Sequence, residues 1–130
     1  MLLRKYMSLI GIGSPKIDLI LEKETYRPGE QVKGYFLIKG GTIKQQLKRI
    51  DCDLIVYNDE EENEKTVDFT TILTNEHIHS DAINEVPFTF RLPESTEVST
   101  KSLAYRFKTK LSFQQGVESV DQDLITIIVE

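Results

Sequence analysis

Along most of the chain, apolar and polar residues change places at every second position, and the alternating runs are parted by Gly, Pro, Asn or acidic clusters. A period of two marks strands that bury one face of an antiparallel sheet. No window holds an apolar stripe at helical spacing for three turns. In KIDLILE, Ile17, Leu19 and Leu21 share a face. QVKGYFLIKG turns Val32, Phe36 and Ile38 inward, with Gly34 where a side chain would otherwise point in, and Gly40-Gly41 is expected to supply the positive φ of a tight reversal. LKRIDCDLIVYN sets Ile50, Cys52, Leu54 and Val56 against Asp51, Asp53 and Tyr57, and the charges of NDEEENEK, 58–65, predict a solvated hairpin loop.

Further along, TVDFTTIL is expected to direct Val67, Phe69 and Leu73 inward. VPFTFRLP aligns Val86, Phe88, Phe90 and Leu92, and Pro87 predicts a strand start, a bulge or an edge, because proline lacks a ladder donor. YRFKTKLSF is the cleanest amphipathic strand, with Tyr105, Phe107, Leu111 and Phe113 opposite Arg106, Lys108 and Lys110. LITIIVE reads as a closing, more continuously apolar strand, and a turn is expected near PESTEVS. About seven principal strands without an internal repeat predict an all-β, two-sheet antiparallel sandwich.

Composition narrows the function classes. A chain of 130 residues fits one domain, 1–130, and buries roughly two-thirds of its unfolded surface without metal or disulfide staples. Net charge -5 disfavours the bulk attraction behind non-specific nucleic-acid binding. No apolar run approaches the roughly 20 residues that span a bilayer. Arg4 and Lys5 precede only a weak, interrupted apolar stretch from Tyr6 to Ile12, which does not read as a signal peptide, so the expected location is cytoplasmic. The single cysteine, Cys52, reads as a small buried strand residue and not a reactive thiol.

Candidate chemistry is sparse. GIGSP lacks the third glycine, the lysine and the following helix of a phosphate loop, and there is no Gly-x-Ser-x-Gly elbow. His77, His79 and Asp81 would share a face only if a strand ran through them, and they read as solvent-facing and not as zinc ligands. DEEENE lacks the ligand pattern and central glycine of a calcium loop. No catalytic residue, metal site or cofactor is therefore expected. Arg106, Lys108 and Lys110 would offer three cations about 7 Å apart, suited to an acidic segment or a phosphate. Lys33, Tyr35, Leu37 and Lys39 lie on the outward parity of a strand expected to serve as a docking edge.

The stretch TYRPGEQVKG carries one more signal. Pro28 presets φ and Gly29 supplies the positive φ of a type II turn, so Tyr26 to Glu30 reverses the chain. Tyr26-x-Pro28-Gly29-Glu30-x-Val32-x-Gly34, then Pro87-Phe88-x-Phe90-x-Leu92-Pro93, then Tyr105-x-Phe107, taken in order, resembles the arrestin-like N-terminal domain. Within that superfamily the chain looks most like the bacterial sporulation-control protein family, on GIGSPKIDLILEKETYRPGE, Gly40-Gly41 and GVESVDQDL. The resemblance implies an arrestin-like sandwich, no enzymatic activity, and a cytoplasmic regulatory role in sporulation exerted through contacts with other proteins. Members generally carry a second arrestin-like domain, so this chain is expected to represent the N-terminal domain alone or a short relative, without the second domain. The expected partners are other proteins, with no nucleic acid and no integral membrane segment, and with a homodimer through a strand edge as one arrangement. The alternative is a carbohydrate- or ligand-binding β-sandwich, but the chain has no tryptophan and its tyrosines are scattered.

Overall fold

The computed structural model describes residues 15–114, 116 and 118–129. Readings made for residues 1–14, GIGS included, lie outside them. The strands in chain order are β1 (Lys16–Leu21), β2 (Thr25–Tyr26), β3 (Gln31–Lys39), β4 (Gln45–Asn58), β5 (Asn63–Leu73), β6 (His77–Ile78), β7 (Ile83–Arg91), β8 (Leu103–Phe113) and β9 (Glu118–Ile127). They form a three-stranded sheet ordered β1-β3-β7 and a larger sheet ordered β2-β9-β8-β4-β5, with β6 on β4. Every ladder is antiparallel except the short parallel pairing of β2 with β9.

The alternation in β1, β3, β7 and β8 becomes the core directly. Ile17, Leu19, Val32, Phe36, Ile38, Phe88, Phe90, Leu92, Tyr105, Phe107, Leu111 and Phe113 are all buried. At the centre, Phe107 meets Phe88 and Phe90 edge-on at 5.6 and 5.3 Å, and Phe36 meets Phe88 at 5.0 Å, which is the geometry aromatic quadrupoles favour. Pro87 sits on β7, the outer strand of its sheet, where a missing amide hydrogen costs no ladder bond. The expected turn after Pro93 is present, closed by the Thr96 amide and hydroxyl on the Pro93 carbonyl.

Four expectations are corrected. Phe69 and Leu73 do not point inward; they are 64% and 75% exposed. Between the pairs Leu54↔Asp68 and Ile55↔Thr66, β5 carries one extra residue, Val67, and a bulge of one residue flips every later side chain to the other face. Thr70 and Ile72 take the inward positions instead.

Neither Gly40 nor Gly41 has positive φ. The 79–82 turn docks on them through Gly40 N to Ala82 O and Asp81 N to Gly41 O, so closely that a Cβ on Gly40 would lie 2.0 Å from the His79 carbonyl oxygen. Gly34 is likewise a close approach, since its Cβ would lie 2.1 Å from the Ile20 carbonyl oxygen on β1. The closing strand begins at Glu118, six residues before the apolar run that predicted it. Lastly, β3 is not an edge, because β1 and β7 pair with it on both sides.

Candidate functional site

The opening corner is architectural. The Glu30 amide donates to the Arg27 carbonyl at 3.0 Å and Gly29 has φ 80°, as a type II turn requires. Buried Tyr26 locks the turn from beneath: its hydroxyl donates to the Lys23 carbonyl at 2.8 Å and accepts from the Lys23 amide at 3.2 Å. Lys23 lies over the Tyr26 ring and pairs with Glu30. Its hydrogen bond, with that of the Arg27 amide, holds the Glu30 carboxyl below the usual range. Tyr26, Lys23, Glu30 and the Arg27 backbone are thus engaged in holding the turn.

The basic stripe of β8 lies outward, as its alternation implies, but its neighbours in register carry the opposite sign. Lys110 stands opposite Asp51, and Lys108 opposite Asp53 and Gln122. The Arg106 guanidinium donates to Glu64 at 2.6 Å and to Gln122 at 2.5 Å, and lowers the Glu64 carboxyl pKa. Arg49 pairs with Asp51 at 2.8 Å. Arg49, Asp51, Asp53, Lys108 and Lys110 line one shallow depression, so this face presents interleaved signs and no cationic track.

On the small sheet, Lys33, Tyr35, Leu37 and Lys39 lie outward on its central strand, so they act through side chains and not through an open main-chain edge. Register extends their rows onto both neighbours: Ile20, Tyr35 and Pro87 stand in line, then Asp18, Leu37 and Glu85, then Lys16, Lys39 and Ile83. Lys33 stands beside Thr89, and Gln31 beside Arg91.

A third location was not anticipated. Where the outer side of β1 meets β9, Asp18, Asp121 and Asp123 bring their carboxylate oxygens within 4.8 Å of one another. Asp121 Oδ2 accepts the Leu19 amide at 2.9 Å, tying the two sheets together. Asp123 Oδ2 is sealed from solvent without a hydrogen-bond donor among the described residues. Burial first, then the neighbouring Asp121 carboxyl and the charge of Asp18, push the Asp123 carboxyl up to about 7. Three carboxylates this close repel one another, which favours the protonated form of the most buried of them.

Asp18 is raised by burial and by Asp121. The signal was present in VDQDLITI, where Asp121 and Asp123 share the parity of buried Ile125 and Ile127. Nearby, the Thr109 hydroxyl meets Cys52 Sγ at 3.5 Å, burial pushes the Cys52 thiol up to about 12, and the residue is the small buried strand residue that was expected. Among the described residues the Asp trio is the one group of three or more metal-ligating side chains within mutual reach; His77, His79 and Asp81 are exposed and do not form one.

A family model described as SpoOM protein matches residues 3–130. The chain belongs to the SpoOM protein family. It is 34% identical over 130 residues to the sporulation-control protein Spo0M of Bacillus subtilis (strain 168), covering 95% of this chain and 50% of the relative. The crystal structure of that SpoOM relative superposes with TM-score 0.81 at 34% identity, over 92% of this chain and 51% of that one. The chain thus spans about half the length of the SpoOM relative it matches. A Niemann-Pick type C2 protein from the Japanese carpenter ant, 9% identical with TM-score 0.56 over 88% of this chain and 92% of its own, shares the fold. The all-β sandwich is therefore the SpoOM fold.

Proposed function

We propose that this chain is a non-enzymatic, cytoplasmic regulatory domain in the control of sporulation, acting through contacts with other proteins. The observation that carries the reading is the 34% identity to a sporulation-control protein across 95% of the chain. The geometry agrees with it in kind. The inside of the sandwich is filled with packed phenylalanines, and Tyr26 and Glu30 of the opening motif are engaged in a turn. What the fold offers a partner is two patterned outer faces.

The test is a chimera. The matching half of the Bacillus subtilis relative is replaced by this chain in a strain lacking its own copy, and heat-resistant spores are counted. Spore counts restored towards the parent support the reading. Counts equal to those of the deletion strain, with the chimera present at normal levels, overturn it.

A further inference from the structure

The two outer faces differ in how their charges are answered. On the large sheet, cations meet carboxylates in register. The outward positions of the small sheet hold Lys16, Lys33, Lys39 and Arg91 against Asp18 and Glu85. Asp18 turns its carboxylate away to join Asp121 and Asp123 at the β1 side, which leaves Glu85 as the acid on the face. Lys16, Lys33 and Lys39 make no ion pair with a described residue, and Arg91 donates to the Gly29 carbonyl. A chain of net charge -5 therefore shows one face of the opposite sign.

The cations are also ordered. Lys16 and Lys39 stand together at one end of the strands and Lys33 and Arg91 towards the other, while Ile20, Tyr35, Leu37 and Pro87 fill the rows between. Lys33 and Lys39 are six residues apart along β3, so the two cationic ends lie about 20 Å from each other. Ile20, Tyr35, Leu37 and Pro87, with Glu85 the one acid among them, lie between two basic ends and suit a peptide that buries side chains in the middle; a phosphate backbone has nothing to bury there.

We propose that the outward face of the β1-β3-β7 sheet binds an acidic protein segment, with carboxylates at both ends and an apolar anchor seated over Ile20, Tyr35, Leu37 and Pro87. A helix spanning about 20 Å needs about 14 residues. This inference rests on the reading of the chain as a protein-contact domain and names the surface and the partner chemistry for it.

The test uses the whole chain, isotope-labelled, titrated with a synthetic 14-residue peptide bearing glutamates at both ends and leucine and phenylalanine in the middle. Controls are the same peptide with lysine for glutamate, a single-stranded oligonucleotide, and vesicles of anionic lipid. Expected are saturable amide shifts confined to β1, β3 and β7, weakened about tenfold or more by Lys33→Glu with Lys39→Glu, and weakened by salt. Arg106→Glu on the other sheet leaves the affinity unchanged, and thermal melts confirm that the variants fold.

No saturable binding of the acidic peptide, equal binding of the lysine peptide, or shifts centred on β4 and β8 overturns the proposal. So does tighter binding of the oligonucleotide or the vesicles at these residues, or a dimer in sedimentation that Tyr35→Asp abolishes. If spores are restored by the chimera while the peptide fails, the surface assignment falls and the regulatory reading stands. If the chimera fails while the peptide binds as expected, the surface stands and its role in sporulation falls.

Discussion

Two parts of one interior follow opposite rules. At its centre, Phe107 meets Phe88 and Phe90 edge to face and Phe36 meets Phe88 the same way, in a core without a carboxyl group. At the β1–β9 side, three carboxyls converge and Asp121 reaches across to the Leu19 amide. The rings and the two aspartates of β9 occupy inward positions of amphipathic strands, and Asp18 joins from the outward parity of β1, at the edge of its sheet. The comparison teaches that parity decides where a side chain goes, while chemistry decides what it costs to be there. The centre contributes stability at every pH, and the carboxyl side contributes or subtracts according to its protons.

The largest effect expected is at the centre. Phe107→Ala should destabilise by about 3–5 kcal/mol, equally at pH 5 and pH 8, because it opens a cavity beside the rings of Phe88 and Phe90. Urea unfolding at both pH values checks this, and a loss that depends on pH would break the comparison. Asp123→Asn sharpens the other side. The folded carboxyl titrates at about 7 against an ordinary 3.8, so the folded state binds its proton more tightly than the unfolded one. Stability from this group is then full below about pH 4 and falls as pH rises to about 7, where it levels out.

The unscreened shift would correspond to about 4 kcal/mol; with solvent screening at a partly exposed group, about 1–2 kcal/mol is expected. Asn cannot ionise, so the variant should be the more stable protein at pH 8 and lose its advantage at pH 4. An advantage of equal size at both pH values would show that charge is not the cause. Gly29→Ala, away from both regions, should cost about 1 kcal/mol at either pH by forcing a Cβ to positive φ. The smallest effect expected is chemical: Cys52, with its thiol pushed up to about 12, should resist a thiol reagent at pH 8 until urea is added. Rapid labelling of the native protein would show that the centre opens.

How much of this was legible in the sequence depends on what alternation encodes. It states which face a residue takes, so β1, β3, β7 and β8 and the outward set Lys33, Tyr35, Leu37 and Lys39 could be read directly. It does not state which strand lies beside which, so β3 was expected as an edge and lies in the middle. Nor does it mark a bulge: one extra residue at Val67 reversed Phe69 and Leu73. Asp121 and Asp123 escaped for a third reason, since carboxylates at inward parity interrupt the apolar pattern that identifies a strand. The Arg106, Lys108, Lys110 stripe was visible, but the acids that answer it come from β4 and β5, and only the register brings them alongside.

The position of β9 has a mechanical consequence. It lies between β8, with eight register pairs, and β2, with two parallel ones, and Asp121 fastens it to the opposite sheet. Ladder bonds run across the strand, so tension applied along β9 at Val129 loads them in shear and all together. Tension applied at right angles to the strand would instead open them one at a time, like a zip. The same ten pairings make β9 a stiff anchor for a pull in line with it and a weak one for a pull from the side.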